Sequence, residues 1–459
     1  MMKKFKDYSL NQPFLFPPSV LDWLPKDHPA HFINEVVDSL DLSGIYNDYG
    51  EGKGQPPYNP SMMVKVLIYA LSKGIRSSRK TEMALYEDVG FRYLSGNQQP
   101  DHWTISEFRK RHHQALGNLF VQTVQLSQKA GLVKLNHVSV DGTKIKANAS
   151  KHAAMSYAYM QKEEQRLRQE IERLLKDMEK TDKEEDKLYG KRRGDELPEE
   201  LATAEKRLQV IKKAKAELEE EARQRQEQLQ KEQEAKPKPK KKRTRKSKNK
   251  KNNPGEPDPK AQKNFTDPES RIMKSSDKSF IQAYNAQATV DTKSQIIVAA
   301  DVTIQANDCN QLQNQIKQVK ENTGSYPKEA SADAGYFSEP NVKFLIREEI
   351  EAYIPPEKIK HSEWRNMPPA PKGRIPCDIS IKDLMRRKLR TKLGRKRYKL
   401  RQQTVEPVFG VIKEQFGLRQ FLHRGLAKVR STWRLTCAVF NIMKLYRAGA
   451  DLRALTVTG

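Results

Sequence analysis

His137-Val-Ser-Val-Asp141-Gly-Thr-Lys144 is a short, largely apolar run closed by an acid, and Glu329-Ala-Ser-Ala-Asp333 repeats that build much later in the chain. Both read as strands that bring a carboxylate to one edge of a sheet, since ligands of open α/β sheets gather beyond strand carboxyl ends. Asp-Gly142 and Asp-Ala-Gly335 are also good turn sequences, so either run alone fits an ordinary turn. A third acid, Glu406, stands in Thr404-Val-Glu-Pro-Val-Phe409. There Val405, Val408, Phe409, Ile412 and Phe416 form one stripe at helical spacing. That stripe puts Glu406 and Lys413 together on its flank and Glu414 toward solvent. Pro407 predicts that the helix starts near Thr404 or kinks at that point. Two strand-end aspartates and a helical glutamate are what a two-magnesium phosphoryl-transfer site needs, because Mg²⁺ takes hard oxygen ligands shared between carboxylates and phosphates. Carboxylates so close would repel and raise one another's pKa unless cations held them.

The rest of the composition suits a polyanionic partner. The 459 residues carry a formal charge of +27 at a pI of 9.7, as nucleic-acid binding asks. Lys236 to Lys251 holds 11 basic residues and no acid, and +16 remains without it. Three cysteines, Cys309, Cys377 and Cys437, are far apart and odd in number, which argues against a disulfide framework or a Cys-x-x-Cys zinc site and fits a reducing cytosol. The longest apolar stretch, Met62 to Leu71, is interrupted by Lys65 and is too short to span a bilayer, and the start lacks an apolar signal core. The expectation is a cytoplasmic protein without a membrane partner.

Residues 1–130 read as all-helical. Pro60 opens a helix that Gly74 stops. Thr104-Ile-Ser-Glu107 has capping-box spacing ahead of Phe108-Arg-Lys-Arg-His-His113. A short helix, a turn at Gly96 to Pro100 and this basic helix fit a DNA-binding helix-turn-helix with Arg109 and Arg111 toward phosphate, or an ordinary helical bundle. His112 and His113 read as surface residues. Residues 131–154 begin an α/β unit that residues 155–235 interrupt. That insertion carries a stripe at Leu167, Ile171, Leu174 and Met178. A second stripe at Leu201, Ala204, Leu208, Ile211, Leu218, Ala222 and Leu229 is broken by Lys215, and together they predict an antiparallel helical hairpin. Residues 236–260 form a lysine- and proline-rich linker that cannot bury a core. Residues 261–459 resume with a β-hairpin, Phe280 to Val290 and Gln295 to Val302. A helix from Asn310 to Val319, a strand ending at Asp333, a helix capped by Ser338 and the strand Ala352-Tyr-Ile354 follow. That order predicts a ribonuclease-H-like α/β core with a mixed sheet.

The ordered set Val138-Ser-Val-Asp141-Gly-Thr-Lys, Tyr284-Asn-Ala-Gln287, Asp333-Ala-Gly-Tyr-Phe337 and Tyr398-Lys-Leu-Arg401 through Glu406 to Lys413 resembles the DDE transposases of bacterial insertion sequences. Pro100-Asp-His-Trp-Thr-Ile-Ser-Glu-Phe-Arg109 is similar to the helical domain that precedes their catalytic core. The resemblance implies Asp141, Asp333 and Glu406 as a metal-binding catalytic triad for two Mg²⁺, with Mn²⁺ as a substitute. It also implies Tyr398, Arg401 and Lys413 beside the phosphate. Double-stranded DNA, at element ends and target, is the implied partner, bound by a homodimer or larger assembly at the bacterial nucleoid. The family usually places three residues between this Arg and Glu, whereas four separate Arg401 from Glu406. A metal-dependent nuclease without strand transfer and a descendant that only binds DNA share much of this pattern.

Overall fold

The computed structural model describes residues 19–50, 56–150, 153–189, 199–234, 256–259, 261–275, 277, 279–358, 368–376 and 378–452. The basic run 236–251 lies outside them, as do Gly190, Gly194 and Pro198, which stand between the two stripes of the insertion, and Cys377.

Among the described residues, seven α-helices come first: α1 Pro29–Ser39, α2 Ser43–Tyr46, α3 Pro60–Ser72, α4 Ser78–Glu87, α5 Val89–Leu94, α6 His102–Arg111 and α7 His113–Lys129. The start and stop of α3 follow local chemistry. Asn59 accepts from the Ser61 and Met62 N–H groups ahead of Pro60, and Gly74 takes φ +74°, a backbone that only glycine adopts cheaply. A Cβ on Gly74 would also meet the Gln415 carbonyl at 2.5 Å. The start of α6 differs from the sequence reading. Asp101 caps it by accepting from the Thr104 N–H, so Thr104 lies one turn inside and makes no capping box.

The sheet is mixed and curled. β1 His137–Lys146 pairs antiparallel with β5 Phe280–Asp291 on one side and parallel with β7 Glu329–Ala332 on the other. Beyond β7 lies β8 Glu351–Tyr353, also parallel. The far edge of β5 is shared by β4 Arg271–Lys274 and β6 Ile297–Thr303, both antiparallel. Helices α10 Leu312–Thr323 and α11 Glu339–Arg347 connect the later strands. α12 Ile381–Arg390, α13 Lys392–Glu414 and α14 Leu426–Arg447 complete the described chain. Sequence reading found β5 to β8 but not β4, a four-residue strand with little pattern of its own. One continuous apolar core joins α3 and α7 to the sheet and to α14, with Trp433, Tyr69, Tyr284 and Tyr336 among its fully buried side chains.

The interruption leaves the core through a two-stranded neck. β2 Ala154–Ser156 pairs antiparallel with β3 Gln262–Asn264. Helices α8 Tyr157–Tyr189 and α9 Glu199–Glu234 pack together around a separate small core of Met160, Leu167, Ala204, Leu208, Ile211 and Leu218. Lys215, which breaks the sequence stripe, donates across the pair to Glu164 at 3.1 Å. Since the neck holds both ends together, replacing 157–261 by a short Gly-Ser turn should leave the sheet folded. Its stability in urea should stay within about 1 kcal/mol, because loop length enters only logarithmically. Loss of cooperative unfolding in that variant would show that the insertion is part of the core.

Candidate active site

The β1–β7 register brings the two aspartates together. Val140 is opposite Ala332, the last residue of β7, so Asp141 and Asp333 follow side by side. Only Asp333 closes its strand. β1 runs on to Lys146 against β5, with Asp141 opposite Ala288, which corrects both the strand-end placement of Asp141 and the turn reading of Asp-Gly142. Asp333 instead caps a short 3₁₀ turn by accepting from the Gly335 N–H at 2.8 Å.

Asp141 is mostly buried. Its carboxyl is pushed up to about 6, by burial above all and by the charges of Asp333 and Asp308, against the Arg401 guanidinium, which lowers it. Arg401 Nη1 donates to Asp141 Oδ2 at 2.8 Å, and its Nη2 reaches Glu406 Oε1 at 3.4 Å. Both acceptors meet one guanidinium although Arg401 and Glu406 are five residues apart, or about 140° round the axis. The long side chain closes that gap, so the altered spacing still leaves Arg401 at the acids. Glu406 is half-exposed. Lys413 is half-buried near Asp141, with burial lowering its pKa and Asp141 raising it. Tyr398 lines a cleft of about 510 Å³ with Asp333, Arg401, Pro355, Pro356 and Lys358. Glu414 points away, exposed and paired with Arg419.

These side chains share one helix because α13 tolerates a proline. It begins at Lys392 and not near Thr404, and Pro407 lies inside it. An internal proline lacks an N–H and its ring frees the carbonyl four residues back, here Gln403. Gln295 Nε2 donates to that carbonyl at 2.8 Å, while Gln295 Oε1 accepts from Lys444 at 2.6 Å. The turn between β5 and β6 thereby fastens the helix beside Glu406. Gln295→Ala should cost about 0.5–1.5 kcal/mol, the net worth of a hydrogen bond to a carbonyl that solvent can reach, read as a shifted urea midpoint. An unchanged midpoint would assign the carbonyl another partner.

Sequence reading missed a polar cluster next to Asp141. Asp308 accepts from Lys144 at 3.1 Å, Asn285 at 2.6 Å and Gln287 at 2.8 Å. Tyr336 donates to Gln287 Oε1, and the Trp433 indole N–H donates to the Gln287 carbonyl at 2.9 Å. The available signal was Asn285 and Gln287 themselves, two amides on one face of a strand otherwise fit for burial. A Cβ on Gly142 would stand 2.2 Å from Gln287 Nε2 and 3.0 Å from Asp308 Oδ1. Glycine lets this cluster close over β1.

The cations of α6 are not presented as expected. Arg109 turns inward and donates to the Arg76 carbonyl at 2.8 Å, which corrects its reading as an outward phosphate contact. Arg111 donates to the Asp48 carbonyl and lies over the Tyr49 ring. His112 is buried between Asp48 and Tyr49, and His113 is half-buried against Ser431, so neither is a plain surface residue. Apolar Ile105 and Phe108 face the same core. Packing takes Arg109 and His112 inward from the six-residue run Phe108–His113, while Lys110 and Arg111 stay exposed.

All-oxygen donors suit Mg²⁺, and the three acids Asp141, Asp333 and Glu406 outnumber the cations Arg401 and Lys413 beside them, which leaves negative charge for a metal ion. Among the described residues no group of three or more acidic, His or Cys side chains closes on one point. Arg401 stands between Asp141 and Glu406 and serves as their counter-ion.

Two family matches accord with this layout. Residues 18–111 match the family described as Transposase domain (DUF772), and residues 254–442 match Transposase DDE domain. The chain is a DDE transposase of the insertion-sequence type. The DDE match includes Asp333 and Glu406 and stops short of Asp141, which reaches the site through the pairing of β1 with β5 and β7. Comparison with curated proteins and with solved structures gives no match. None of the described helices is long and apolar enough to cross a membrane.

Proposed function

We propose that the chain binds the ends of an insertion sequence and catalyses phosphodiester cleavage and strand transfer on DNA from a ribonuclease-H-like core. The observation that carries this reading is the contact of Arg401 with both Asp141 and Glu406, beside Asp333. It is supported by the strand order β6-β5-β1-β7-β8, in which the first three strands alternate and the last two run parallel to β1. Asp141, Asp333 and Glu406 would hold Mg²⁺, or Mn²⁺ in its place, two ions to the site. When bound, the metal supplies activation of the attacking oxygen and charge neutralisation at the leaving one.

The chain's own residues do the rest. Arg401 is a planar fork suited to two non-reacting phosphate oxygens, and Lys413 adds a point charge on the Asp141 side. Tyr398 and the Pro355–Pro356 wall shape the cleft that receives the strand. Asp308, held by Lys144, Asn285 and Gln287, fixes the floor beneath Gly142. Water attack at the element end leaves a 3′-hydroxyl, which then attacks target DNA in line, and no protein nucleophile is needed. Two ends must be handled together, so a homodimer or larger assembly on double-stranded DNA is the working unit, in the cytoplasm at the nucleoid.

The test is to incubate the purified full chain with element-end duplex, target plasmid and Mg²⁺, and to resolve cleaved and joined products. Joining supports the proposal. Cleavage alone would make the protein a nuclease, and end binding without cleavage would make it a DNA-binding descendant.

A further inference from the structure

Away from the acids, cations converge where the opening helices meet the end of the chain. Arg76, in the turn between α3 and α4, donates from Nη1 to the Gly417 carbonyl at 3.0 Å. Its other terminal nitrogen, Nη2, is buried and has no hydrogen-bond partner. Arg109 turns in beneath it and donates to the Arg76 carbonyl. His113 and His423 approach from either side, the former 3.3 Å from Ser431 Oγ and the latter 3.1 Å from Thr432 Oγ1. Ser431 and Thr432 give their own protons to carbonyls four residues back on α14. The two hydroxyl oxygens are therefore acceptors here, and the imidazole Nδ1 atoms donate.

These side chains, with Leu71, Leu116 and Leu435, line a small recess, open on one side, that offers about 20 Å³ of space, and none of its lining residues is acidic. Two guanidiniums thus share a largely dry space without a carboxylate. Burial and then Arg109 push Arg76 down to about 10, and burial with Arg109, Lys428, Arg76 and His113 pushes His423 down to about 4. Like charges in low dielectric are costly unless a counter-charge sits among them, and an orphaned buried donor costs further. The space exceeds the roughly 10–15 Å³ that one water needs, yet it is too small for a phosphate or sulfate.

We propose that this recess is a binding site for one monatomic anion of chloride size, held by Arg76 Nη2 and Arg109. The ion ties the opening helical region to α14 by placing one negative charge between the two guanidiniums at their junction. The site differs from the phosphate-facing cations of the catalytic cleft in its small size and in the orphaned Arg76 Nη2 at its base.

Two measurements on the full chain test this. Thermal unfolding in sodium chloride and in sodium gluconate at equal ionic strength should differ, with a melting temperature about 2 °C higher in chloride for a site held near saturation. Arg76→Gln, which keeps a donor and removes the charge, should lose that difference. Crystals soaked in bromide should show an anomalous peak between Arg76 and Arg109 in the unaltered protein, which decides the matter should the variant fail to fold. Equal melting temperatures in all sodium salts, a chloride effect retained by Arg76→Gln, or no bromide at that position would each overturn the site.

Discussion

Asp141→Asn, Asp333→Asn and Glu406→Gln are each expected to reduce cleavage by about a thousandfold or more while element-end binding stays nearly intact. Neutral amides keep the shape and hold Mg²⁺ poorly, and several kcal/mol of transition-state stabilisation lost is that large a rate. Glu414→Gln, on the solvent side of the same helix, should change little. A fully active Glu406→Gln protein would sink the assignment. Asp141→Asn should also reveal itself without substrate. In metal-free buffer the native carboxyl takes up its proton near 6, above the ordinary Asp range of the unfolded chain. Between those values the folded state binds more protons, so its stability rises as pH falls through 6 and is lost as pH rises. The Asn variant should lack this dependence, and identical pH profiles for the two proteins would contradict the burial argument.

Gly142→Ala is the second large effect. The added methyl would meet Gln287 Nε2 at 2.2 Å, and that amide has nowhere to go. Its nitrogen donates to Asn285 and Asp308, while the oxygen of the same amide accepts from Tyr336. Relief therefore breaks buried hydrogen bonds or bends β1 beside Asp141. Overpacking and lost bonds together should destabilise by about 2–4 kcal/mol, measured as the urea midpoint, and cleavage should fall with it. A stable and fully active Gly142→Ala chain would show that Gln287 is free to swing out, and the cluster would lose its positioning role.

Much of this arrangement was legible in the residues because local pattern and tertiary demand agreed. The β5–β6 hairpin, the Ser338 cap and the stripe of Val405, Val408, Phe409, Ile412 and Phe416 all appear where periodicity and turn chemistry predict. The misses have a common cause. Asp-Gly142 looks like a turn, but pairing with a distant strand extends β1 through it. Pro407 looks like a helix start, but Gln295, remote in sequence, satisfies the carbonyl that the proline frees. Arg109 looks like a surface cation, but a distant loop gives it an interior acceptor at Arg76. Each depends on a partner that no local window contains. Asp308 was overlooked because a lone Asp in a loop carries no pattern, and only the two strand amides facing it give it meaning.

The neck formed by β2 and β3 bears on how such a chain folds. Asp141 pairs opposite Ala288, 147 residues further on, a separation that makes sheet formation slow. The α8–α9 pair has its own apolar centre and contacts local in sequence, so it can condense first. Once Ser156 and Gln262 are zipped together, the unfixed chain between the two core strands is only about a quarter as long. The closure entropy still owed falls by about 1 kcal/mol. A bulky interruption that assembles early thus presents itself to the waiting strands as little more than a short connecting turn, and the central strand pair can form as though its halves had been neighbours.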